Sequence, residues 1–308
     1  MIETINLTKH FGNIKAVQDL NISIDQADIY GFIGPNGAGK TTTLLMLATL
    51  LKPTSGTANI CNYCIRRNPE DVKRHIGLMP DSFGVYSDIK VWEYLDFFAS
   101  AYKINVPQRK KIIDDVLELT DLQMKRDSFV EQLSRGMRQR LCLAKTLLHN
   151  PDVLLLDEPA SGLDPRARIE LRELLKELKK MGKTILISSH ILTELSDFCN
   201  KIGIIEQGNL LATGEVSLII EKMKGERFIY LTVESNFERA IELLKSQDYV
   251  INVERDGSEI EVECSYKLEN IAPILELLIL NGLRITSIRE ETLDLEDVFM
   301  KITKGVVQ

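Results

Sequence analysis

Three groups of residues in this chain have types and spacing suited to handling phosphate. The first is Gly34-Pro35-Asn36-Gly37-Ala38-Gly39-Lys40-Thr41-Thr42, a glycine followed after four residues by Gly-Lys-Thr. Glycines let the backbone curl so that successive N–H groups face one concavity, and a helix that follows adds its positive end. Lys40 then reaches the β and γ phosphates and the Thr41 hydroxyl can ligate magnesium, so a nucleoside triphosphate fits the donors. The second group is Val153-Leu154-Leu155-Leu156-Asp157-Glu158, an apolar run ending in two adjacent carboxylates. On a buried strand both acids emerge at the carboxyl edge, where open α/β sheets bind ligands. Asp157 suits the magnesium shell there, and Glu158 can orient or deprotonate a water for in-line attack on the γ-phosphate. The third group is Leu133-Ser134-Arg135-Gly136-Met137-Arg138-Gln139. Ser134 is a natural helix cap and Gly136 permits close backbone approach, so a hydroxyl and the N–H groups of a helix start form a second anion site.

The elements that must position these groups are legible in the hydrophobic pattern. Ile2 to Phe11 and Val17 to Ile24 read as strands joined by a turn at Gly12-Asn13, and Ile29 to Ile33 is a third strand running into the glycine loop. A helix follows, with Leu44, Leu45, Leu47, Ala48 and Leu51 on its buried side, and Pro53 to Gly56 ends it. Val91 to Tyr102 and Gln108 to Leu119 have helical spacing, with Pro107 between them, and Met137 to His149 is an amphipathic helix. Val153 to Leu156 and Thr184 to Ser188 are buried strands on either side of a helix over Arg166 to Met181. Strands alternating with helices predict an α/β sheet with covered faces. Beyond about Gly214 the order becomes βαββαβ: strand Phe228 to Val233, helix Phe237 to Ser246, a hairpin of Val250 to Glu254 and Ile260 to Cys264, helix Leu268 to Asn281, strand Arg284 to Arg289. That order predicts a small α+β, ferredoxin-like domain over residues 221–308, ending in a helix through Leu295, Val298, Phe299 and Ile302.

Composition narrows the classes. With 308 residues, 44% hydrophobic and 27% charged, the chain is a globular protein of two domains, not a disordered or coiled-coil one. Thr41 to Leu51 and Pro273 to Leu283, the latter broken by Glu276, fall short of the roughly 18 apolar residues of a spanning helix. Met1-Ile2-Glu3-Thr4 has no secretory character, so a cytoplasmic protein is expected. The net charge of −7 comes from residues 221–308, which carry 11 Lys+Arg against 18 Asp+Glu, and it argues against nucleic acid as a partner. The five cysteines form no even framework. Cys61-Asn62-Tyr63-Cys64 spells C-x-x-C, yet the sequence offers no second cysteine pair or histidine pair for zinc, and the segment reads as a strand turning at Asn62.

Taken together, the three motifs resemble the ATPase subunit of an ATP-binding cassette (ABC) transporter over residues 1–220. The resemblance implies a P-loop NTPase fold of mixed sheet core, helical subdomain and antiparallel β subdomain. It makes Gly34 to Thr42 the Walker A loop, Val153 to Glu158 the Walker B strand, Leu133 to Gln139 the signature motif, and Ser161-Gly162-Leu163-Asp164 the D-loop. It also makes His190 the switch histidine facing the γ-phosphate, and gives Phe11 the place of the aromatic that stacks on adenine, with Val17 beside it. In such proteins two ATPase domains sandwich two ATP molecules with Mg2+, each between one chain's Walker A loop and the other's signature motif. A second ATPase subunit, identical or related, is therefore an expected partner, as is an integral-membrane permease that holds the subunit at the cytoplasmic face of the membrane. Three positions depart from the pattern: Asp81 stands where glutamine or glutamate usually faces magnesium, Arg135 where glycine is commonest, and Met137 where glutamine is commonest. The tail Leu295-Glu296-Asp297-Val298-Phe299 is similar to that of an exporter subgroup with a separate permease. The alternative is a soluble ABC ATPase acting on nucleic acid or ribosomes; such relatives carry two cassettes or a long coiled-coil insertion, and neither is present here.

Overall fold

The computed structural model describes residues 1–81, 84, 88–191, 195, 198–216, 218–219, 226–265, 268 and 270–291. The chain opens with a hairpin of β1 (Ile2–Phe11) and β2 (Ile14–Leu20), turning at Gly12-Asn13, followed by β3 (Ser23–Ile24). The next strand, β4 (Ile29–Ile33), is buried at every residue and leads through the glycine loop into α1 (Lys40–Leu47). A second hairpin, β5 (Ser55–Ile60) and β6 (Tyr63–Cys64), turns on Cys61 and Asn62, both with positive φ (50° and 67°), as a two-residue primed turn requires. These strands form one antiparallel sheet in the order β2-β1-β5-β6, with β3 also on β1.

The larger sheet is built from strands that read as continuous apolar runs. α2 (Pro69–His75) leads into β7 (Ile76–Met79). Three helices then intervene: α3 (Val91–Ala101), α4 (Val106–Leu119) and α5 (Arg135–Leu147), packed on one another. The chain re-enters the sheet at β8 (Val153–Asp157), crosses through α6 (Pro165–Lys180) to β9 (Thr184–Ser189), and finishes with β10 (Lys201–Glu206) and β11 (Asn209–Glu215). The order is β11-β10-β4-β9-β8-β7, parallel except for β11. α1, α5 and α6 pack on this sheet, which explains why β8 and β9 are buried throughout. Mixed sheet, helical group and antiparallel sheet are thus all present, as the sequence implies.

Boundaries shift for physical reasons. Pro107 does not separate two helices but sits in the first turn of α4, where its missing N–H has no partner to lose. The sequence reading does not include β10 and β11: the apolar run of Lys201–Glu206 is interrupted by Gly203, and Asn209–Glu215 is a half-exposed edge strand.

The chain divides into two compact units, Met1–Val216 and a second within Ser217–Ile302. In the second, β12 (Glu226–Val233), α7 (Phe237–Lys245), β13 (Val250–Asp256), β14 (Glu259–Ser265), α8 (Ala272–Leu280) and β15 (Ile285–Glu291) form an antiparallel sheet in the order β13-β14-β12-β15. Its core gathers Ile229, Leu231, Leu244, Val262, Ile274 and Leu278. Helix α8 starts four residues later than expected, because Pro273 fits only a first turn and the Asn270 side chain accepts from the Ala272 N–H at 2.9 Å. The helix expected through Leu295 to Ile302 lies outside the described residues. Among the described residues no helix is long and apolar enough to cross a membrane.

Candidate functional site

The glycine loop is shaped by contacts that leave no room for side chains. A Cβ on Gly34 would lie 2.1 Å from the Ile205 carbonyl oxygen, and one on Gly39 would lie 2.3 Å from the Ala16 oxygen, at φ 107°. Gly37, at φ 80°, meets nothing within 4 Å and is required by its backbone angle alone. Ala38 is buried, its carbonyl accepting from Gly208, and its N–H reaches Pro35 at 3.2 Å; Pro35 is half-buried and Asn36 exposed. Among the described residues, the N–H groups of Gly37, Gly39, Lys40, Thr41 and Thr42 find no acceptor. A ring of free donors at the start of α1 is the chemistry a phosphate chain satisfies, so these residues fit the expected ligand.

Lys40 is buried and folded back on the loop. Its ammonium donates to the carbonyls of Gly34 (2.6 Å) and Pro35 (3.2 Å) and lies 3.3 Å from Glu158 Oε1. Glu158 reaches it because its backbone turns into the left-handed region, φ 47°, one residue past β8. That turn aims its side chain differently from that of Asp157. Its other oxygen, Oε2, lies 2.8 Å from His190 Nδ1, one residue past β9. The parallel register of β8 and β9 pairs Asp157 with Ser188, so the strand ends deliver Asp157, Glu158 and His190 to one edge. The three expected catalytic groups, Lys40, Glu158 and His190, thus form one chain of contacts.

Asp157 is buried, and its Oδ1 accepts from the Ser188 hydroxyl at 2.6 Å. The same hydroxyl accepts from the Glu158 N–H at 3.0 Å. Sequence reasoning missed Ser188; the signal is a small hydroxyl ending a strand that must lie beside the acids. Thr41 is exposed at the start of α1. Asp81 is exposed two residues beyond β7, and since Met79 pairs with Leu156 it leaves the sheet at the edge that carries Asp157. A hydroxyl and two carboxylates at one sheet edge are the hard oxygen donors magnesium takes.

Two expectations at the base end of the site separate. Phe11 is 48% exposed at the end of β1, with the Lys9 ammonium 4.9 Å above its ring, so a flat apolar face is available. Val17 is fully buried, its Cγ2 packed under Gly39. Its place beside an adenine is therefore corrected: it props the loop from below and offers a base no surface.

Ser134 caps α5, its hydroxyl accepting from the Met137 N–H at 3.3 Å. A Cβ on Gly136 would make only ordinary contacts, the nearest 3.4 Å from Ala167, so nothing among the described residues demands glycine there. Among the described residues no hydrogen bond or ion pair joins Ser134 or Gly136 to the glycine loop. They line a separate cleft of about 420 Å³ with Gly162, Asp164 and Ala167. Two side chains tie this helix start to the segment after Glu158. Arg135 donates to the Ser161 carbonyl at 3.1 Å and lies flat over Gly162, and buried Gln139 donates to the Pro159 carbonyl at 2.7 Å. The Arg135 departure thus has a structural use that the motif did not suggest.

Comparison with known proteins agrees with this geometry. A family profile described as "ABC transporter" matches residues 17–161. The bacitracin transport ATP-binding protein BcrA of Bacillus licheniformis is 37% identical over 99% of this chain and 98% of its own length. The Nod factor export ATP-binding protein I of Burkholderia orbicola is 37% identical over 73% of this chain and 74% of its own. Among solved structures, an ATP-binding subunit of an ABC transporter aligns at TM-score 0.65, with 28% identity over 73% of this chain and 93% of that one. The dimeric bacterial ABC transporter cassette MJ0796, also solved bound to ADP and Pi, aligns at TM-score 0.63, with 26% identity over 70% of this chain and 99% of that one. The donor ring, the paired acids and the uncommitted signature helix therefore have one explanation: the chain belongs to the ATP-binding subunits of ABC transporters, a family of ATPases.

Proposed function

We propose that this chain pairs with a second ATPase subunit, a copy of itself or a related chain, and drives a separate integral-membrane permease in export from the cytoplasmic face of the membrane. The observation that carries the pairing is the division of the anion-binding groups: the glycine loop and acids gather at one sheet edge, while Ser134 and Gly136 face a cleft and, among the described residues, make no bond to them. Export is supported by relatives whose names specify bacitracin transport, linearmycin resistance and Nod factor export.

In this reading Gly34 to Thr42 cradle the phosphates and Phe11 stacks on the base. Thr41 and Asp157, with Asp81 beyond them, are the residues that would hold Mg2+, which would supply positive charge to the phosphate oxygens. Glu158 takes the proton of the attacking water, and His190 holds its second oxygen in place. Ser134 and the α5 N–H groups of the partner complete the pocket from the other side.

The test is the assembly state with ATP. Glu158→Gln keeps the shape of the side chain and removes the base; it is expected to bind ATP, lose turnover by about 100-fold or more and sediment as a dimer. Ser134→Arg in that background should leave ATP bound to a monomer, and Lys40→Ala should weaken nucleotide binding itself. Wild-type turnover by Glu158→Gln, or a dimer indifferent to Ser134→Arg, overturns the reading.

A further inference from the structure

At the opposite end of β8 from the acids lies a second group of ligating side chains. Cys61, in the β5–β6 turn, His75, the last residue of α2, and Asp152, just ahead of β8, each place one donor atom within 4.8 Å of the other two. Asp152 and Asp157 are five residues apart on an extended strand, about 17 Å, so this cluster is distinct from the nucleotide pocket.

The three residues are held by their backbones. The Asp152 N–H donates to the His75 carbonyl at 2.9 Å, and its own carbonyl accepts from Thr184 at 3.0 Å. The Cys61 N–H donates to the Met1 carbonyl at 2.9 Å. The side chains are oriented as well: His75 Nδ1 lies 2.6 Å from Asp152 Oδ2, and the imidazole stacks on Tyr63 with centroids 5.3 Å apart. Cys61 and His75 are half-buried and Asp152 is open to solvent, so an ion has a route in.

We propose that Cys61, His75 and Asp152 bind one thiophilic divalent transition-metal ion, with zinc the best-suited ion. A thiolate, an imidazole and a carboxylate form the mixed S, N, O set that zinc accepts, whereas magnesium and calcium select oxygen alone. Bond lengths of roughly 2.0–2.3 Å in a tetrahedral shell set donors roughly 3.3–3.7 Å apart. The widest separation here, up to 4.8 Å, closes by about an ångström, and the His75–Asp152 contact of 2.6 Å opens by nearly as much to admit the ion between them, both within reach of side-chain torsions, while solvent supplies a fourth ligand. The ion fastens the antiparallel sheet, α2 and the entry of β8 to one point. The partners of the C-x-x-C cysteine are thus a histidine 14 residues on and an aspartate 91 residues on, which spacing alone does not reveal.

The experiment uses the full chain, stripped by chelator and kept in excess Mg2+ so that the nucleotide pocket does not take up the titrant. Zn2+ competed against a chromophoric chelator is expected to fill one site per chain and to raise the melting temperature. Co2+ should show a thiolate charge-transfer absorption. Cys61→Ser should abolish that absorption, and Cys61→Ser and His75→Ala should each weaken Zn2+ binding by more than the roughly 10–100-fold that loss of an outer-sphere partner costs. Cys64→Ser should leave the absorption and the affinity unchanged. No stoichiometric Zn2+ uptake, uptake unaffected by Cys61→Ser, or uptake lost in Cys64→Ser overturns the assignment.

Discussion

Lys40, Asp157 and Glu158 were legible because their chemistry is compressed into short segments, so type and spacing suffice to name them. Ser188 was not, because its role arises only when β9 is laid beside β8: one hydroxyl then donates to Asp157 and accepts from the Glu158 N–H. Ser188→Ala leaves a buried carboxylate oxygen and a backbone N–H unpaired. The expected cost is about 1–3 kcal/mol in urea unfolding, with ATP turnover falling more than ATP affinity. Equal stability of the variant and the parent would show that water substitutes for the hydroxyl. Val17 was misjudged for the opposite reason. Its place next to Phe11 in the resemblance says nothing of depth: Val17 is fully buried under Gly39, while Lys15 and Asp19, two residues to either side on β2, are exposed.

The glycine loop shows what a motif does not say about its own letters. Gly34 is required by space, Gly37 by backbone angle and Gly39 by both. Gly34→Ala or Gly39→Ala must push β10 or the Ala16 backbone away, since carbonyl oxygens would lie 2.1 and 2.3 Å from the new methyl. Each is expected to cost about 1–3 kcal/mol of stability and to abolish ATP binding. Gly37→Ala should cost only about 1–2 kcal/mol, with ATP binding weakened rather than lost. Chemical denaturation and nucleotide titration of the three variants give the ranking; similar losses in all three would count against it. Most elements with strong periodicity fell within a residue or two of their expected bounds. β10 and β11 are hard to see because a run broken by Gly203 and a half-exposed edge strand carry little pattern, yet the Ile205 carbonyl of β10 is what fixes Gly34.

At the scale of the molecule, the two units have separate cores with no residue in common, one spanning Ile2 to Ile205 and the other Ile229 to Leu283. The separation follows from two self-contained patterns in the sequence, βα alternation and βαββαβ. The second unit's role was not legible because its described residues supply core and surface without a cluster of chemical groups. A chain ending after Val216 is expected to melt cooperatively and to bind ATP as the full chain does, checked by circular dichroism and nucleotide titration. A truncated chain that fails to fold would mean that the first core depends on the second. One feature of the first unit reaches beyond a single chain. Arg135 and Gln139 hang the start of α5 from the carbonyls of Ser161 and Pro159, on the segment directly after Glu158. In a pair assembled as proposed, the lever that closes a neighbour's pocket is bolted to the floor of one's own. Breakdown of nucleotide on one side then tugs at the lid on the other, and the two pockets run geared together, not as independent motors.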